Sequence, residues 1–182
     1  MNSPFANIFL SLQTVIATTL STLVPAGSTP YIDMDYGQLE LKERPDVTFP
    51  CVLIDFQDWE FKDLSNFIQQ GAGNVILKLA TNPYSASSNI TPLTYIQDSI
   101  NIFELEYAIY KALQGFKPNI MNDSSASATG LSRIMLRSDN RRPGLKVRIL
   151  PFRTSFQDNS AKPAPVSTTA SPNITATFTE PG

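Results

Sequence analysis

The sequence predicts an α+β fold: a sheet with helices packed on one face. Three observations carry this. The spacing of apolar residues starts helical, turns to alternation, returns to helical and ends in alternation. The chain has 182 residues, enough for one core but not for two full domains. No repeat at a period of 20 to 50 residues is visible, which removes solenoids and propellers.

Phe5, Ile8, Phe9, Leu12, Val15, Ile16, Leu20 and Leu23 recur at steps of three and four, the stripe of an amphipathic helix. Ser3 and Pro4 suit its start, and Pro25 with Gly27 its end. Its other face offers Asn7, Ser11, Gln13, Thr14, Thr18 and Ser21, which hydrogen-bond without the desolvation cost of a charge. That face is either solvated or set against a neighbouring subunit.

From Tyr31 to Leu41 the period becomes two, with a slip at Gly37 that predicts a bulge. Glu43 to Asp46 form a loop. Cys51 to Phe56 is a buried strand, apolar on both faces and continuing through Trp59 and Phe61. Gly71-Ala-Gly73 precedes a third strand, Val75 to Thr81, and the three strands form an antiparallel meander. A second helix begins at Thr91-Pro92, or at Asp98 in a shorter version. It carries Ile102, Phe103, Leu105, Tyr107, Ile109, Tyr110 and Leu113 around most of its circumference and closes at Gly115. This is the core helix. A polar loop from Asn119 to Gly130 leads to a two-strand hairpin: Ser132 to Ser138, a tip with Asp139, Asn140, Pro143 and Gly144, and a return from Leu145 to Phe156. The domain thus spans 1–158. Residues 159–182, rich in Pro, Ser and Thr, form an extended arm whose anchors are Val166, Ile174 and Phe178.

The chain contains no histidine and one cysteine, Cys51. Triads, Cys-His dyads and imidazole acid-base steps are excluded, as are intrachain disulfides and multi-thiolate metal sites. A reducing cytoplasm as site of synthesis follows. There is no Walker loop, and Ile76 fills the third glycine position of a dinucleotide fingerprint begun at Gly71 and Gly73. The uncharged start lacks the basic residues of a signal peptide and is too polar to span a membrane. No cofactor is expected. Asp33-x-Asp35 lacks further ligands for a cation, and Asp55 within an apolar strand calls for an Arg or backbone partner.

Charged residues make up only 16% of the chain, against about a quarter in an average domain. They are unevenly spread. Residues 1–32 carry none, residues 31–63 hold nine acids and three bases, and residues 111–162 hold ten bases and three acids. Asp33, Asp35 and Glu40 are therefore candidate contacts for Arg133, Arg137, Arg141, Arg142 and Arg148 of another copy, so that plus meets minus head-to-tail and a ring closes. The basic hairpin read as a nucleic-acid surface, or as a solvated strand face, are the other possibilities.

The order of elements resembles that of the tail terminator and tail completion proteins of long-tailed bacteriophages. The likeness extends over about residues 1–158. Tyr31-Ile-Asp-Met-Asp-Tyr-Gly-Gln-Leu-Glu40, Pro45-Asp-Val-Thr-Phe-Pro-Cys-Val-Leu-Ile-Asp-Phe56 and Gly144-Leu-Lys-Val-Arg-Ile-Leu-Pro-Phe-Arg-Thr154 look like segments of such proteins from phages or prophages of Bacteroidetes-type hosts. The resemblance implies a non-enzymatic virion protein of the tail or neck, assembled in the bacterial cytoplasm. It implies a hexameric ring that caps the tail tube, ends its polymerisation and offers the surface onto which the head docks. The partners implied are other copies, the tail tube protein, head-tail connector proteins and non-specific DNA in the lumen, with no membrane. Two alternatives stand beside it: a head-tail connector or stopper ring, and, from another class, a small cytoplasmic enzyme or ligand-binding domain.

Overall fold

The computed structural model describes residues 3–24, 28–40, 47–82, 87–121, 127–141 and 144–161, Asp98 by its backbone only. Helix α1 runs Pro4–Leu20, with Ser3 as an extended cap whose side chain makes no capping bond. Ile8, Leu12, Ile16 and Leu20, four apart, are fully buried. Its outer hydroxyls turn inward on the helix itself: Ser11, Thr14, Thr18 and Thr19 each donate to the carbonyl four residues earlier. Pro25 and Gly27 lie outside the described residues.

Strand β1, Tyr31–Met34, lies parallel to β2, Cys51–Ser65. An antiparallel meander was the expectation for this pair. The parallel arrangement is open to the chain because residues 35–50 separate the strands, enough for a crossover. Nor does the first strand reach Leu41. After Met34 the chain turns: Gly37, at φ +82°, donates its N–H to Asp35 Oδ1, and Gln38 Nε2 donates to the Met34 carbonyl. The slip at Gly37 marks this turn, not a bulge. Leu39 then tucks against the sheet, while Leu41 and the 43–46 loop lie outside the described residues.

β2 pairs antiparallel with β3, Ile68–Thr81, which pairs along its length with β6, Lys146–Asp158. β4 (Ser132–Arg133) and β5 (Arg137–Asp139) both pair antiparallel with β6, so the order across the sheet is β1-β2-β3-β6, then β4 and β5. Residues 134–136 interrupt what sequence reads as one strand, and Asp139 closes β5 instead of lying in the tip. The β2–β3 hairpin is longer than its apolar pattern predicts. Gly71 and Gly73 sit inside β3 because Phe61 and Trp59 lie over them; a Cβ there would come within 2.8 and 2.5 Å of those rings.

Helix α2, Leu93–Leu113, adopts the longer of the two expected spans, and Gly115 at φ +80° turns the chain out of it. Both helices cover one face of the sheet, burying Val52, Ile54, Val75, Leu77, Leu79, Leu150 and Phe152. The opposite face carries a smaller cluster of Leu39, Cys51, Leu53, Ala80, Leu145 and Val147.

Candidate assembly surface

Of the acidic set, Asp33 stands on β1, at one edge of the sheet, whereas Asp35 and Glu40 follow that strand and reach inward to β3. Asp33 accepts from the Tyr31 hydroxyl and from the Met34 amide, both at 2.8 Å. The first of these bonds, with burial, raises the Tyr31 phenol above its ordinary range. Asp35 is nearly buried and pairs with Lys78 Nζ at 2.5 Å, and the more exposed Glu40 reaches the same ammonium at 3.6 Å. Asp55 finds the backbone partner its position calls for, the Phe56 amide at 2.8 Å, together with Gln57 Nε2.

The basic set stands at the far edge, on β4, β5 and β6. Arg148 donates to Glu106 on α2 at 2.6 Å and to Ser138, with Phe103 5.5 Å from its guanidinium carbon. Arg133 lies 3.8 Å over the Tyr110 ring and 3.9 Å from the second Glu106 oxygen. Arg141 grips Asp139 with two parallel bonds of 2.9 and 3.0 Å, which hold its proton more tightly. Arg137 is exposed on β5. Arg142, Val166, Ile174 and Phe178 lie outside the described residues.

Most of the candidate charges are therefore engaged within the chain. Glu106, absent from the sequence-derived set, gathers two of the arginines. Its signal was that it is one of two acids, with Glu104, amid the apolar run from Ile102 to Ile109, but its partner Arg148 is 42 residues away.

Apolar side chains remain at the surface around these pairs. Phe103 and Tyr107, one turn apart on α2, are more than half exposed, and Ile134, Met135 and Leu136 are exposed in succession between β4 and β5. A second group lies at the hairpin: Phe61, Leu64 and Phe67, the last at the unfavourable φ of +66°. Behind it, Phe5 packs against Phe56, Trp59 and Phe156 at ring separations of 5.3, 4.9 and 5.6 Å. A groove of about 500 Å³ opens beside the tip between Leu64, Phe67, Asp158 and Ala161.

The Cys51 thiol is buried, and desolvation pushes its pKa up to about 12, which makes it a poor nucleophile. Among the described residues no cluster of His, Cys, Asp or Glu is arranged to hold a metal ion, and no helix is long and apolar enough to cross a membrane.

No family model matches this chain, and no curated protein does. Among solved structures, a chain titled "Virion of native gene transfer agent (GTA) particle" is similar at 12% identity, over 84% of this chain and 92% of that one, with a TM-score of 0.48. A likeness of that extent carries no function across.

Proposed function

We propose that this chain is a structural virion protein that assembles into a ring, caps a phage tail tube, stops its growth and offers the docking surface for the head. The observation that supports it best is that Asp33 stands on β1 at one edge of the sheet and Arg133 and Arg137 stand on β4 and β5 at the other, while Asp35 and Glu40 reach inward to Lys78 on β3. A closed ring needs two different surfaces on each subunit, one complementary to the other, and unlike edges supply that asymmetry. The exposed apolar residues on α2 and between β4 and β5 add area of the kind that marks a protein contact. The tube, the head and sixfold symmetry come from the resemblance of the three quoted segments to tail terminators.

The internal ion pairs refine which charges act between copies. Arg137 and Arg141 are the exposed members of the basic set, Arg141 is already held by Asp139, and Glu40 already stands beside Lys78, so the contact rests on Arg137 and on apolar area. Arg148→Glu would place a second carboxylate beside Glu106 and disturb the fold itself, which makes Arg137→Glu the informative variant.

The test is light scattering across a concentration series, with negative-stain images of the large species alone and on added tail tubes. Sixfold rings seated on tube ends are expected, and Arg137→Glu should raise the assembly concentration about tenfold, the effect of about 1.4 kcal/mol. Twelvefold rings would favour a connector, and a monomer that leaves tube ends growing would overturn the virion reading.

A further inference from the structure

We infer that residues 173–179 of one copy add as an extra strand to the open outer edge of β2 in the next copy; this rests on the ring reading above. The edge comes first. β1 pairs only with Cys51–Ile54, and the Asp35 amide donates to the Ile54 carbonyl at 2.9 Å. Beyond that point, among the described residues, no strand lies on the outer side of β2, which runs on to Ser65. A bare edge of about ten residues is a template for another chain, and natural sheets cover such edges.

The side chains at this edge ask for an apolar partner on one face. Trp59 and Phe61 lie over the β3 glycines on the helix face of the sheet, and Phe61, at the flank of the aromatic cluster, is 47% exposed. A strand laid alongside, apolar on that face and polar on the other, would close the cluster.

The C-terminal sequence has that pattern. Between Pro172 and Pro181 it reads Asn-Ile-Thr-Ala-Thr-Phe-Thr-Glu: Ile174, Ala176 and Phe178 alternate with Thr175, Thr177 and Thr179. Strict alternation of β-branched, aromatic and small residues, bounded by prolines, is a half-buried strand. Seven residues span roughly 23 Å, within the length of the open edge. Only Lys162 and Glu180 are charged after Ala161, so the segment meets no repulsion from Asp58, Glu60 and Asp63.

The point of departure favours exchange between copies. The chain leaves β6 beside the hairpin tip, where Ala161 shares the groove with Leu64 and Phe67. Residues 162–172 reach about 36 Å when extended. Lys162-Pro-Ala-Pro165 biases the start of that linker toward an extended course, away from the reversal needed to lie outside β2 of its own sheet, three strand spacings or roughly 14 Å off. In a ring, each copy would give one strand and receive one.

The test uses the full chain in a Cys51→Ala background. One tagged variant carries Thr177→Cys and a differently tagged one carries Lys62→Cys; they are mixed, allowed to assemble and treated with a short bismaleimide. Crosslinks joining the two tags are expected, with at least a tenfold loss of yield when Phe178→Asp is added to the donor. A variant carrying both cysteines that crosslinks only within itself overturns the exchange. Hydrogen exchange on the unmodified protein gives a second reading: amides of 57–65 should slow at least tenfold on assembly, and unchanged rates overturn the inference. Rings that form without these crosslinks defeat the exchanged strand and leave the ring standing, whereas absence of any assembly on tube ends defeats both.

Discussion

The two halves of β2 share one strand and differ in almost every other respect. From Cys51 to Ile54 both faces are covered, by the helices on one side and by Leu39, Leu145 and Val147 on the other. Past Gln57 the pairing with β3 slips, Asp58 takes a positive φ of 55°, and only one face is packed, by aromatic rings over glycines. The first half serves stability. The second presents backbone and rings at an edge, so its conformation must be held by special contacts with few residues behind it.

If that contrast is right, the largest effect comes from the packed half. Leu77→Ala, opposite Ile54 and fully buried, should cost about 2–5 kcal/mol in urea unfolding, with the cavity it leaves adding to the lost transfer energy. At the junction, Gly73→Ala pushes a methyl group into the Trp59 ring and should cost about 1–3 kcal/mol by the same measurement. A neutral result there would mean the rings are free to move and the second half is loosely built.

Cys51 tests the packed half through pH. Its thiol is raised from 9.0 to about 12 by burial, so the folded state keeps a proton that the unfolded chain releases. This contribution to stability is fully present below pH 9 and is lost as the pH rises through about 12. Unfolding free energies across the alkaline range should fall less steeply in Cys51→Ala than in the parent. The smallest effect is expected at the hairpin: Leu64→Ser, at a half-exposed site, should stay within about 0.5 kcal/mol of the parent in unfolding.

The same contrast explains what could be read from the sequence. α1 and the β6 return are legible because their apolar residues repeat with the period of the element they form, and the Cys-Val-Leu-Ile strand and α2 because their apolar runs are bounded by Pro50 and by Gly115. The outer hairpin is legible only as far as Trp59 and Phe61, since Asp63, Gln69 and Gln70 give no alternation beyond them, and Gly71 and Gly73 look like a turn until the rings above them are seen. The parallel setting of β1 depends on where a 16-residue connection returns, which periodicity does not encode. Among the candidate contacts, the sequence separated acidic from basic segments. It did not reveal that Lys78 would claim Asp35 or that Glu106 would claim Arg133 and Arg148, because those partners meet only when the sheet brings distant segments together.

Trp59 is the only tryptophan in the chain. Its indole N–H donates to the Asn74 carbonyl at 3.2 Å, and its ring is half-buried at the flank of the aromatic cluster, with Phe156 5.2 Å away. The molecule thus contains its own optical gauge at the hairpin. Light absorbed at the red edge of the protein spectrum excites this one ring, so a blue shift on assembly would register water leaving the outer half of β2 while the helix-covered core stays dark.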